Sequence, residues 1–487
     1  MVFKINNLNK SAVSFLFLLI LVVYFISFFE AVPNEDEAVI ASHSYFFNKL
    51  GYVKSDLYGG YGYNWEIRQY HFHKLFVLAG SFMSSVFGFN VYTFKSVSLI
   101  FTLFFFLFLY LYTKDFMQKY NKHSFFLISA TILLLNNIFF KHSFMYRPEL
   151  AVMCLGFISY YYLKKGMVSG KNIFFILAGT FAGLSAFTHL NGLIFCSAGG
   201  IFLLIKKKFK PVFFFGLFAG IFTLLYFYDI RTIDELKILN SQISNDPNVL
   251  YKENAFISLI KEYMRLFWSP KEIIFSTVFF TALISDFKYF KKYQPDVLTY
   301  LLLLFISLGM LAHGKTTKYS LYYFPFMVLI ITEFIFNIKS KTRTLRISFY
   351  SILAIYCIIH MYFNFTVINS HINIAGRSQE IASLIPERNV KVSAPSVFAF
   401  NQINNFTIRG PIAFDHHYLA FKPGEEQTLC KYFKFAEEHG DKYIIIDKKL
   451  NKRKFILNSD IDTIRVNDVF CNYELISRQD SIYIFRN

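Results

Sequence analysis

The side chains in this sequence that could do chemistry gather at the edges of apolar runs. The stretch FFEAVPNEDEAVIASHSYFF, residues 28–47, puts three carboxylates, Glu35, Asp36 and Glu37, directly after a long apolar segment. A carboxylate there can act as general base or as a metal ligand. As first-turn residues of a surface helix, the same acids would do no more than complement the helix dipole. YRPEL places Arg147 and Glu149 around Pro148. Pro and Glu mark a helix start, yet an Arg and an acid at a membrane edge can also line a polar site. THLNG holds His189 and Asn191 beside Gly192, which suits a tight turn or one wall of a substrate pocket. AHGKTTKYSLYYFP carries Lys315, Lys318, Tyr322 and Tyr323. Lysines beside a bilayer suit a lipid phosphate. His71 and His73 are two residues apart in an aromatic-rich loop and read as interface residues rather than metal ligands. No zinc-type spacing, Walker loop or GxSxG motif occurs, which leaves cytoplasmic nucleotide chemistry without support.

The elements that must position these groups are membrane helices. The chain has 487 residues, 55% hydrophobic and 20% aromatic but only 17% charged, and soluble domains carry about 25% charged residues. Mean hydropathy is +0.39. Apolar runs near the spanning length of about 20 residues recur along the chain. The first, residues 11–29, follows Lys4 and Lys10 and lacks a small-x-small cleavage site, so it reads as an uncleaved helix. The net charge of +18 resides in short loops between runs. Topology explains that distribution, and nucleic acid is not expected as a partner.

The Lys/Arg bias of short loops sets orientation. With the N-terminus cytoplasmic, five basic inner loops alternate with outer ones: TKDFMQKYNKH, LKKGMVSGK, KKKFKP, DFKYFKKY and NIKSKTRTLR. The expectation is a polytopic α-helical membrane protein of about eleven transmembrane helices over 1–365, with the C-terminus outside. All four polar clusters then fall on the outer side. A long outer loop, 30–93, carries surface helices, including the short apolar piece 75–87 ended by Gly88. Residues 366–487 read as a small extracytoplasmic α/β domain, with strand-like NVKVSAP, KYIIIDKK and SIYIFRN and a helical EEQTLCKYFKFAEEHG. Cys430 and Cys471 in that region could pair if it lies outside the cytoplasm. The composition suggests a bacterial inner membrane.

Taken in order, these stretches resemble the polytopic C-type (GT-C) glycosyltransferases. The first helix opening onto Asp36, Glu37 and Ala38 is similar to the family's first block. FHKLFVLAGSFMSSVFGFN is similar to its surface helix, and YRPEL, THLNG and KYSLYYFP stand where the family has Arg-Pro-acid, His-x-Asn-Gly and Lys…Tyr…Pro stretches. The resemblance covers roughly residues 10–365 and points toward lipid A aminoarabinose transferases and protein O-mannosyltransferases. Two departures stand out: YHFHKLF replaces a PPL-like stretch, and Glu149 stands where Asp is commoner.

The resemblance implies transfer of a sugar from a polyprenyl-phosphate donor to a lipid, glycan or protein acceptor on the outer face. Asp36 would be the base, with Glu37 helping to place it and Glu149 a third catalytic carboxylate. Arg147, Lys315 and Lys318 would stabilise the leaving phosphate, with Tyr322 and Tyr323 flanking the lipid. His189 and Asn191 would line the pocket. The resemblance fixes no cofactor and leaves open a divalent metal ion near Asp36, which some relatives use and others do not. The competing reading is a transporter or flippase. Against it stand the absence of an internal repeat and the gathering of polar groups at outer ends rather than mid-span. A non-catalytic scaffold would leave the outer carboxylates and lysines unexplained.

Overall fold

The computed structural model describes residues 7–245, 254–312, 316–368, 372–451 and 453–487. The chain is mostly helical, and each apolar run is helix. In order these are α1 (Asn7–Glu30), α2 (Glu35–Leu50), α3 (Lys74–Phe87), α4 (Val91–Phe116), α5 (Lys122–Leu135), α6 (Asn137–His142), α7 (Pro148–Ser169), α8 (Asn172–Thr188), α9 (Leu193–Ile205) and α10 (Phe209–Leu224). There follow α11 (Ile233–Ser244), α12 (Ala255–Ile260), α13 (Met264–Phe267), α14 (Pro270–Ser285), α15 (Phe287–Tyr293), α16 (Pro295–Leu311), α17 (Phe324–Asn337) and α18 (Arg343–Ile368).

Among the described residues, four helices are long and apolar enough to cross a membrane, or up to six if each of two bent pairs is one span. This is an integral membrane fold. The other apolar runs form shorter helices, and the reason lies partly in local sequence. Asn136 ends α5 and caps α6, its Oδ1 accepting from Ile138 N at 3.0 Å, so the run 125–140 is broken in two. α7 is buried almost all round, as a central helix is. Close backbone approach replaces large apolar faces between α8 and α10. A Cβ on Gly179 would lie 2.2 Å from Phe215 O, and one on Gly183 would lie 2.6 Å from Ala219 O.

The five basic loops meet at one end of the bundle. Lys165 pairs with Asp115 at 3.0 Å, Lys206 with Asp296 at 2.7 Å and Lys341 with Asp286 at 2.6 Å, while Lys119 donates to Tyr289 at 2.8 Å. The C-terminal region forms a six-stranded sheet in the order β2-β1-β3-β6-β5-β4. Its strands are β1 (Lys391–Ser393), β2 (Thr407–Arg409), β3 (Tyr443–Asp447), β4 (Val469–Phe470), β5 (Tyr473–Gln479) and β6 (Ile482–Arg486). β1 runs parallel to β2 and β3, and the remaining pairs are antiparallel. All of β3 is buried because both sheet faces are covered. One face packs on helices of its own region, and Cys430 and Cys471 are disulfide-bonded there. The other shares a core with α2, α3 and the loop between them, through Val392, Ile408 and Ile445 against Val39, Leu57 and Val77. The sheet is thereby seated on the segment that carries the acid cluster.

Candidate active site

The site begins with a capping box. Asn34 Oδ1 accepts from Glu37 N at 2.9 Å, and Glu37 Oε2 accepts from Asn34 N at 2.8 Å, which starts α2 at Glu35. The other oxygen of Glu37 accepts from Tyr146 N at 2.9 Å. One buried carboxylate thus fixes both the start of α2 and the loop leading to α7. Burial lifts its pKa above the ordinary 4.5, against the pull of the Asn34 and Tyr146 N–H groups and of Lys95. Both Glu37 oxygens are taken up by these backbone contacts, and Asp36 stands free of the cap. Tyr146 is held by the same arrangement. Its ring stacks on Phe76 at 4.6 Å, and its hydroxyl lies 2.9 Å from Ser44 Oγ against Gly80, where no Cβ would fit.

With Tyr146 pinned, Arg147 falls between two acids. Its Nη1 donates to Asp36, and its Nε and Nη2 reach the two oxygens of Glu149 at 3.2 and 3.0 Å. Arg147 is also the N-cap residue of α7, and Pro148 opens the helix. On the far side of Glu149, Lys318 Nζ lies 3.4 Å from Oε1. Lys318 belongs to a 3-10 turn, Thr317–Tyr322, that leads into α17. Three segments far apart in sequence therefore supply two carboxylates and two cations to one spot. Asp36 is 44% exposed and Lys318 24%, whereas Glu149 is almost fully covered. Burial opposes ionisation of Asp36, but Arg147 and Lys318 outweigh it and hold the carboxyl below its ordinary 3.8.

The remaining sequence candidates lie around this cluster or away from it. His189 Nδ1 accepts from Asn191 N at 3.0 Å, which shapes the turn between α8 and α9; a Cβ on Gly192 would strike the Ser185 backbone at 2.2 Å. The His189 ring stacks on His73 at 4.8 Å and meets Tyr319 edge-on at 6.0 Å. Tyr319 in turn stacks on Tyr322 at 5.8 Å. Asn191 is half-buried beside His189. Tyr323 faces another way, its hydroxyl donating to Glu262 at 2.7 Å. Lys315 lies outside the described residues. Among the described residues, no group of three or more His, Cys, Asp or Glu could hold a metal ion. Asp36 is turned to Arg147 here.

His73, read from the sequence as an interface residue, and three groups that sequence reasoning passed over, Lys95, Lys74 and Arg453, complete the surroundings. His73 sits beside His189, and burial, then His189, pushes its pKa well below 6.5. Lys95 Nζ donates to Phe28 O and Ala31 O, both at 2.7 Å, and so ties the end of α1 to α4. Lys74 pairs with Asp229. Arg453 of the C-terminal region pairs with Glu35, the first acid of the opening cluster, and with Asp415.

Solved structures share this architecture. ArnT from Cupriavidus metallidurans superposes with a TM-score of 0.59 at 10% identity, over 98% of each chain, in its apo state. The same protein bound to undecaprenyl phosphate gives 0.60 at 9% identity over the same shares. The oligosaccharyltransferase of Archaeoglobus fulgidus tethered to an acceptor peptide gives 0.53 at 10% identity, over 91% of this chain and 69% of that one. The chain has the GT-C fold. No protein-family model and no curated protein matches it by sequence.

Proposed function

We propose that the chain is a membrane glycosyltransferase that moves a sugar from a polyprenyl-phosphate-linked donor to a lipid, glycan or protein hydroxyl. The observation that carries this reading is the convergence of Asp36, Arg147, Glu149 and Lys318 from three separate segments. The fold of proteins crystallised with undecaprenyl phosphate or an acceptor peptide supports it.

In this reading Asp36 takes the acceptor's hydroxyl proton as that oxygen attacks the anomeric carbon. The bond from the anomeric carbon to the phosphate oxygen breaks, and its electron pair leaves with the lipid phosphate. A single displacement inverts the anomeric centre. Charge grows on the phosphate in the transition state, and a preplaced cation stabilises it. Lys318, whose side chain is partly exposed, is the proposed cation, and Lys315 is its proposed companion. Arg147 has three donor contacts on carboxylates already, so it both orients Asp36 and offers its remaining N–H groups to the phosphate. The His189–Asn191 turn lines the approach, Tyr322 packs buried behind Tyr319, and Glu149 fixes Arg147 and Lys318 together.

The proposed topology has about eleven helices, the N-terminus in the cytoplasm and the C-terminal region outside, in a bacterial inner membrane. The basic loops sharing one end support it, and so does the disulfide, which persists in oxidising compartments. A flippase built on the same fold is the alternative. Proteoliposomes loaded with labelled polyprenyl-phosphate hexose separate the two: a transferase moves label onto an added acceptor extract, and a flippase moves intact donor between leaflets without transfer.

A further inference from the structure

Beyond the cluster itself, the structure holds a buried ion pair that the mechanism does not use. Glu262 and Arg265 lie between α12 and α14 in the polar stretch 229–270, yet both side chains are 0% exposed. Arg265 Nε donates to Glu262 Oε1 at 2.7 Å. Its Nη1 donates to Thr316 O at 2.7 Å, and its Nη2 reaches Ala312 O at 3.5 Å. The guanidinium also lies 5.2 Å from the centre of the Tyr319 ring. Glu262 Oε1 accepts in addition from Tyr323 OH at 2.7 Å. One buried fork therefore grips the end of α16, the start of the Thr317–Tyr322 turn and a ring within it, while its counter-ion grips the residue after that turn. Close packing reinforces this grip, since Ser258 Oγ donates to Gly309 O at 2.7 Å and a Cβ on Gly309 would meet Leu259 at 2.7 Å.

A buried pair is costly to assemble, and replacing one by apolar residues is often neutral or stabilising. Stability alone is therefore a weak reason for Arg265 and Glu262. Arg265 reaches Thr316 O and the Tyr319 ring and Glu262 accepts from Tyr323, at both ends of the turn that carries Lys318, the cation 3.4 Å from Glu149. We propose that Glu262 and Arg265 are positioning residues that hold the Thr317–Tyr322 turn so that Lys318 faces the carrier phosphate. Neither residue touches the Asp36–Arg147–Glu149 cluster in the contacts described, so they act through the turn. The ligand in this inference rests on the transferase reading; the placement of the turn does not.

The test uses full-length protein in detergent, with undecaprenyl phosphate as the probe. Arg265→Gln removes the guanidinium beside the buried Glu262 carboxylate and could fail to fold, so the Glu262→Gln/Arg265→Gln double variant, which neutralises both members of the pair, is measured beside it. Arg265→Lys keeps the charge and loses the fork. Backbone amide exchange is followed over 316–323 and over 150–163, with lipid affinity measured on the same samples. The expected result is a folded double variant with faster exchange at 316–323 and unchanged exchange at 150–163. Its lipid affinity falls roughly tenfold, as loss of one aligned charged contact implies, and Arg265→Lys does not restore it. A double variant with unchanged exchange and affinity overturns the proposal, as does full rescue by Arg265→Lys. A wild-type protein that does not bind the lipid, while exchange still responds at 316–323, overturns the carrier-phosphate part and the transferase reading and retains the positioning role.

Discussion

Arg147 separates two carboxylates, and removing its charge is the most informative single perturbation of the site. Arg147→Met preserves most of the side chain's length and abolishes three charge-assisted contacts, two to Glu149 and one to Asp36. Asp36, 44% exposed, recovers hydration; Glu149, with 2% of its side chain exposed, does not. Stripping one partner from a buried pair costs about 3–5 kcal/mol. Proton uptake caps that figure, because neutralising a carboxyl of ordinary pKa ~4.3 at pH 7 costs roughly 3.7 kcal/mol. Lys318 remains 3.4 Å away and offsets part of it. The expected loss is about 3 kcal/mol at pH 7. The dependence on pH has a definite sign. In the wild type, Asp36 has a lowered pKa, so its contribution is complete above the ordinary 3.8 and is lost only as pH falls through the lowered value. The variant escapes by protonation, so its deficit shrinks toward pH 5.5 by up to roughly 1.4 kcal/mol per unit. Equilibrium unfolding in mixed micelles at pH 7.5 and 5.5 measures both quantities. A variant as stable as wild type, or a deficit that ignores pH, would refute the reasoning.

Other outcomes follow from the same contacts. Glu37→Ala leaves the Asn34 and Tyr146 N–H groups without their acceptor and is expected to cost about 2 kcal/mol in the same unfolding assay, whereas Glu37→Gln, which keeps an acceptor oxygen, costs less. Because Asp36 has a lowered pKa, transferase activity should stay flat from pH 8 to 5; an acid limb above pH 5 that moves in Asp36→Glu would contradict this. Opening the Cys430–Cys471 disulfide, which closes a loop with a sequence separation of 41, is expected to cost about 4 kcal/mol in the chain-entropy account; thermal unfolding with and without reductant reads it.

Much of the helical layout is legible in the sequence, since apolar runs specify helices whatever their partners. YRPEL shows why a site can be half legible. Pro148 and Glu149 mark the start of α7, but nothing local says that Arg147 would meet Asp36, 111 residues earlier. Lys74–Asp229 and Glu35–Arg453 are likewise set by tertiary packing across 155 and 418 residues. Arg265 left one local signal, a carboxylate three residues before it, but in a charged loop that spacing reads as a solvated face. β2 and β4, of three and two residues, are too short for a period of two to register. The break at Asn136 shows the opposite case, a polar capping residue inside an apolar run that outweighs the run's length.

The most direct test of the account is sugar transfer by the purified protein. Wild type, Asp36→Asn and Lys318→Ala are incubated with radiolabelled polyprenyl-phosphate hexose and a crude extract of lipids, glycans and proteins, and donor binding is measured on the same samples. The account predicts label on an acceptor with wild type, none with Asp36→Asn despite retained donor binding, and weakened donor binding with Lys318→Ala. Transfer by Asp36→Asn at the wild-type rate would contradict it.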